Sequence, residues 1–146
     1  MSARIFGIAA SVALIAFAAS LGSAGAAAPT RQPDLAKGQA LYEECKGCHS
    51  PTENVVGPRH CGVAGRHAGS VPDFQYSDVM KNSKIVWTDE KLHAFLTSPI
   101  SYLSGTNMGF AGLFDPGERA DVIAWLHKVS EDLSCEALAP ETKGKH

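Results

Sequence analysis

The sequence predicts an all-α fold of one domain, and three observations carry that prediction. Capped segments with helical apolar spacing lie at residues 34–45 and 115–129. Between them, residues 50–84 are rich in Gly, Pro, Ser and Asn and lack sustained apolar periodicity, and the chain shows no strand pattern beyond the few residues around Lys84-Ile85-Val86. The first helical segment runs straight into Cys45-Lys46-Gly47-Cys48-His49, a C-x-x-C-H motif whose chemistry is covalent haem attachment.

The chain opens on a segment that is set aside before folding is considered. Arg4 precedes an apolar run through Ile5, Phe6, Ile8, Val12, Leu14, Ile15, Phe17 and Leu21, and small residues from Ser23 to Ala28 follow. This is the layout of an export signal, residues 1–26, with cleavage expected after Ala26 because Pro29 makes a poor first residue after a cut. A retained membrane anchor is the competing reading, and the apolar run is marginal in length for one. Cleavage removes Arg4 and no acid, taking the formal net charge from −2 to −3 with His neutral. Nothing in that balance suggests nucleic acid. The 120 residues left of 146 suit a single core.

After a flexible start over residues 27–33, Asp34 caps a helix whose Leu35, Leu41 and Tyr42 lead into Cys45. Residues 50–84 would be a suspiciously long unsupported loop in a compact domain, unless they wrap a flat apolar macrocycle and pack against it. Thr88 caps a short helix carrying Leu92, Phe95 and Leu96, stopped by Pro99. Asp115-Pro116-Gly117-Glu118 starts the last helix, with an acidic N-cap, Pro at the first helical position and Glu three after the cap. Its Val122, Ile123, Trp125, Leu126 and Val129 make one apolar face for docking on the first helix, and Gly38 offers room for a close crossing near Trp125. The domain is expected over residues 34–136, followed by a mobile tail at 137–146.

The C-x-x-C-H motif supplies two thiols for the two vinyl groups of one porphyrin and an imidazole for its iron. A bare C-x-x-C also serves redox dithiols and zinc sites. The first would sit in a βαβ pattern, which is absent, and the second would want another Cys or His pair, while Cys61 and Cys135 stand apart. With His49 on one face of the iron, the occupant of the other face separates electron transfer from ligand chemistry. Met108 is favoured, since it lies in a glycine-flanked loop where backbone approach to a macrocycle is easy. Met80, His60, His67, His93, His127 or an open site remain the alternatives, each histidine reading first as a partly exposed surface residue.

With those residues in view, the chain resembles a class I cytochrome c, of the group containing bacterial cytochromes c2 and their mitochondrial relatives. Beyond the haem motif, the resemblance covers Gly57-Pro58, Gly65-Arg66, Phe74-Gln75-Tyr76-Ser77 and Trp87. It continues through Pro99 and Tyr102 to Gly105-Thr106-Asn107-Met108-Gly109-Phe110-Ala111-Gly112, and closes with Glu118 to Leu126. It implies a helical fold with crossing terminal helices and loops around one haem c attached through Cys45 and Cys48, with His49 and Met108 as the iron ligands. It implies that the Pro58 carbonyl accepts the free imidazole N–H of His49, and that Arg66, Tyr76 and Trp87 sit near the haem propionates. Thr106 and Tyr102 would support the methionine loop, and Phe110 would pack near the exposed haem edge.

Two departures stand out. Phe95 takes a place where many relatives carry a tyrosine, so a hydroxyl contact to the ligand sulfur is absent. Around the methionine loop, Ile100, Ser101, Asn107 and Asp115 stand where mitochondrial forms present lysines, which weakens attraction to an acidic partner. Lys46, Lys81 and Lys84 are the remaining docking charges to consider.

Cys61 and Cys135 are left after haem attachment, and exported proteins seldom leave a pair free, so a disulfide closing 74 residues is expected. The chain-entropy estimate for such a loop is about 4 kcal/mol. Together these readings describe a monomeric, periplasmic one-electron carrier and not an enzyme. It would shuttle between a quinol-oxidising complex or periplasmic dehydrogenase and a terminal acceptor, docking transiently through the haem edge without stable membrane insertion. A haem enzyme or gas sensor with displaceable Met108, and a haem-free zinc or disulfide-exchange module, are the rival readings.

Overall fold

The computed structural model describes residues 31–133 and 135. The expected export signal at 1–26, the start of the flexible segment and the tail at 137–146 lie outside the described residues. Among the described residues the chain forms α1 (Leu35–Cys45), α2 (Asp78–Lys81), α3 (Asp89–Thr97), α4 (Pro99–Tyr102) and α5 (Pro116–Asp132). The only β pairing there is an isolated antiparallel bridge between His67 and Val86.

Each long helix starts where its cap dictates. The Asp34 carboxylate accepts the N–H groups of Ala36 and Lys37 at 3.0 and 3.1 Å, satisfying two donors that a helix start leaves open. Thr88 Oγ1 accepts from the Lys91 N–H at 3.4 Å for α3, and Asp115 Oδ1 accepts from the Glu118 N–H at 2.9 Å for α5. Pro99 does more than stop α3. Ser98, held extended ahead of it, ends that helix, and the proline then opens the separate turn of α4. Helix α2 arises inside the segment read as loop, and one turn is too short to show periodicity.

Helix α1 packs against α5, and α5 also against α3. A Cβ on Gly38 would overlap the Asp121 carbonyl and sit 3.0 Å from the Trp125 Cβ, so the crossing is closer than any side chain permits. Tyr42, Val122, Ile123 and Leu126 join Leu92, Phe95 and Leu96 in one core. Leu35, read as part of the apolar face of α1, is 43% exposed instead. Asp121 is 1% exposed in the helix interface, where its two oxygens accept the Arg31 guanidinium at 2.6 Å and the Asp34 N–H at 2.7 Å. Burial alone would raise that carboxyl, but these donors outweigh it and hold the group below its usual range.

The crossing makes a prediction. Gly38→Ala should destabilise the protein by about 2 kcal/mol through overpacking, although alanine is the better helix former. A lower urea midpoint with unchanged slope is the expected outcome, and a gain in stability would refute the close crossing.

Candidate functional site

The site begins at the C-terminus of α1. The N–H groups of Cys48 and His49 both donate to the Cys45 carbonyl, at 3.1 and 2.9 Å, so one tight turn holds the three reactive side chains. All three border a cavity of about 540 Å³. Val63, Leu92, Phe95, Leu96, Leu113 and Leu126 make much of its wall apolar, and Met108 borders the same space. Met80, from α2, lines it too and is 9% exposed.

The His49 Nδ1 lies 2.7 Å from the Pro58 carbonyl, so the Nδ1–H donates there and leaves Nε2 free as a ligand atom. Burial lowers the pKa of His49 against the pull of that hydrogen bond, favouring the neutral ring a metal needs. Gly57 approaches the ring so closely that a Cβ there would overlap it. Burial, reinforced by the Glu44 charge, pushes the Cys45 thiol up to about 11. Dithiol oxidoreductases need the opposite shift. Among the described residues no cluster of three or more His, Cys, Asp or Glu could hold a metal ion, so the zinc reading finds no ligand set there.

Three polar features of the wall fit a haem. Arg66 lines the cavity, half-buried, with its guanidinium donating to the Cys61 and Arg59 carbonyls at 2.7 and 3.1 Å and no carboxylate paired with it among the described residues. The buried Ser77 Oγ also faces this region and has no hydrogen-bond partner. Tyr76 lines the cavity while its hydroxyl accepts the Val71 N–H at 3.4 Å, leaving its own proton to give. A half-buried cation and two hydroxyl donors beside an apolar cavity match a macrocycle carrying two carboxylates. Trp87, 6% exposed, completes this wall. From the sequence, Ser77 stands only within the Phe74-Gln75-Tyr76-Ser77 resemblance and carries no role of its own. Its place directly after Tyr76 was the available signal.

On the methionine side, Thr106 Oγ1 accepts the Met108 N–H at 3.3 Å and so braces the loop backbone. Phe110 lines the cavity, half-buried. Tyr102 does not reach the wall but packs edge-on to Phe95 at 5.9 Å, and Phe95 lies 4.8 Å from Trp87. The histidines divide. His127 is exposed and bonded to Asp89 at 2.7 Å, His93 is half-buried away from the cavity, and His67 is exposed at its edge. His60 is partly exposed, as read, but it also lines the cavity and stacks on His49. Sulfurs of Cys61 and Cys135 are joined, with Cα atoms 5.4 Å apart, and Cys45 and Cys48 take no part in that bridge.

A sequence model of the family described as Cytochrome c matches residues 35–130. The cytochrome c2 of Rhodomicrobium vannielii is 46% identical over 96 residues, covering 64% of this chain and 77% of that protein. The cytochrome c2 of Blastochloris viridis is 38% identical over 112 residues, covering 75% and 88%. Among solved structures, cytochrome cH from Methylobacterium extorquens matches with a TM-score of 0.64 at 36% identity, covering 65% of this chain and 98% of its own. A relative that shares nearly half its residues over most of its length, and a family match spanning the haem motif through the last helix, assign the chain. It belongs to the class I cytochrome c family, electron-transfer proteins and not enzymes, whose cofactor is one haem c attached through cysteines.

Proposed function

We propose that this cytochrome is a soluble periplasmic one-electron shuttle, with Cys45 and Cys48 attaching the haem and His49 and Met108 as its axial ligands. The observation that carries the reading is a single cavity bordered by both thiols, the Pro58-oriented imidazole and the Met108 loop. When bound, the haem would supply a one-electron couple, and a methionine ligand would favour its reduced form relative to a second histidine. The chain's own residues do the rest. Pro58 and Gly57 orient the imidazole, Thr106 braces the methionine loop, and Arg66, Tyr76, Ser77 and Trp87 offset the burial of propionates.

Among the described residues no helix is long and apolar enough to cross a membrane. The export signal and the Cys61–Cys135 bridge support an oxidising compartment. Electrons would pass between a quinol-oxidising complex or periplasmic dehydrogenase and a terminal acceptor, through brief docking of a monomer at the haem edge. Lys46 is already paired with Glu43 at 2.6 Å, which leaves Lys81 and Lys84 as the freer docking charges of the three considered.

The test is spectroscopic. Protein from the periplasmic fraction should give a c-type pyridine haemochrome, a positive midpoint potential, and no rapid carbon monoxide binding when reduced at neutral pH. Rapid binding would transfer the protein to the gas-sensor or enzyme class, and absence of the haemochrome would restore the zinc or dithiol reading.

A further inference from the structure

His60 lines the cavity but belongs to neither the attachment nor the ligand set. Its ring lies against that of His49, with centroids 4.0 Å apart and planes within 23°. The Tyr42 hydroxyl is 3.2 Å from its Nδ1, within hydrogen-bond reach. Tyr42 is 1% exposed and sits in the last turn of α1, the helix that ends at Cys45.

The backbone around His60 is tied as firmly as its ring. Its N–H donates to the Ser50 carbonyl at 3.0 Å, and its carbonyl accepts from the Val63 N–H at 2.8 Å. The N–H of Cys61 donates to the Pro51 carbonyl at 2.9 Å, and Cys61 is bridged to Cys135. Residues 50–51, directly after His49, are thus laced to residues 60–61, so the two imidazoles cannot drift apart without breaking this pairing.

We propose that His60 is a positioning residue: stacked on His49 and held by the Tyr42 hydroxyl, it sets the rotation of the axial imidazole about its Cβ–Cγ bond. The proposal rests on His49 being the axial ligand. The hydrogen bond to Pro58 restrains one ring atom and Gly57 presses on the ring, while a flat partner at 4.0 Å blocks rotation that would drive a ring edge into close-packed atoms. Axial-ring orientation governs the electronic anisotropy of a low-spin haem, so a change in the stack alters signals that mere loss of stability does not.

The experiment compares the oxidised holoprotein with His60→Leu, His60→Phe and Tyr42→Phe, reading haem-methyl paramagnetic shifts by NMR, the EPR g-values and the midpoint potential. His60→Leu should rearrange the spread of methyl shifts and move the g-values. His60→Phe, which keeps a flat face, should return both toward wild type. Tyr42→Phe, which removes only the hydroxyl, should displace them in the same direction by less. Methyl shifts and g-values of His60→Leu superimposing on wild type would overturn the proposal. Should His60→Leu fail to fold, Tyr42→Phe decides by the same signals. Failure of the carrier reading looks different, because the wild type itself would then lack a low-spin c-type spectrum.

Discussion

Met108→Ala should open the iron: the reduced variant binds carbon monoxide rapidly, and its midpoint potential falls by roughly 0.2 V, a fraction of the ~0.8 V range that axial ligation spans. Alanine offers no donor atom, and the loop from Gly105 to Gly112 has no second sulfur. Met80 also borders the cavity, so its behaviour sharpens the test. Met80 is buried on a helix with its backbone committed to hydrogen bonds, including one from Ser83 at 3.3 Å. A thioether-ligated spectrum surviving in Met108→Ala but lost in Met80→Ala with Met108→Ala would show that Met80 can supply the sulfur. A spectrum and potential unchanged in Met108→Ala alone, and equally in the double variant, would remove methionine from the site altogether.

The Cys61→Ser, Cys135→Ser double variant should lose about 4 kcal/mol of folding stability. The bridge spans 74 residues of sequence, so its absence frees a large loop in the unfolded chain. In the folded protein it ties the residue after His60 to the segment following α5. The Gly62 N–H still donates to Ser130 Oγ at 2.9 Å, so the loop keeps one attachment to α5 and the fold should survive. Denaturant unfolding of the holoprotein measures the loss, with a reduced midpoint in the variant and the same reduction in wild type under strong reductant. A difference below about 1 kcal/mol would mean that the bridge closes little of the unfolded ensemble.

The helix starts were legible because capping is local chemistry. Asp34, Thr88 and Asp115 each bond N–H groups two or three residues away, and such contacts follow from residue type and spacing. The haem turn was legible for the same reason, since Cys45, Cys48 and His49 share one turn by sequence alone. The Pro58 contact came from family resemblance rather than pattern, being a carbonyl nine residues from the ring it orients. Helix α2 and the restart at Pro99 went unseen, because four-residue elements carry no periodic signal.

Two polar side chains show where local reading stops. Asp121 gives no local sign of burial in the sequence of the last helix. It is buried because Arg31 and the Asp34 N–H, 90 and 87 residues away, converge on it at the helix crossing. His60 sits in an aperiodic stretch and reads as partly exposed surface, as it is, yet the lacing of residues 50–51 to 60–61 also sets its ring onto His49. From its residues alone, the chain declares its caps, its haem turn and its relatives, because each depends on neighbours within a few positions or on an ordered set of motifs. The company His60, Asp121 and Met80 keep was settled by the packed fold, since burial and stacking arise from distant segments meeting and leave no mark at the residue itself.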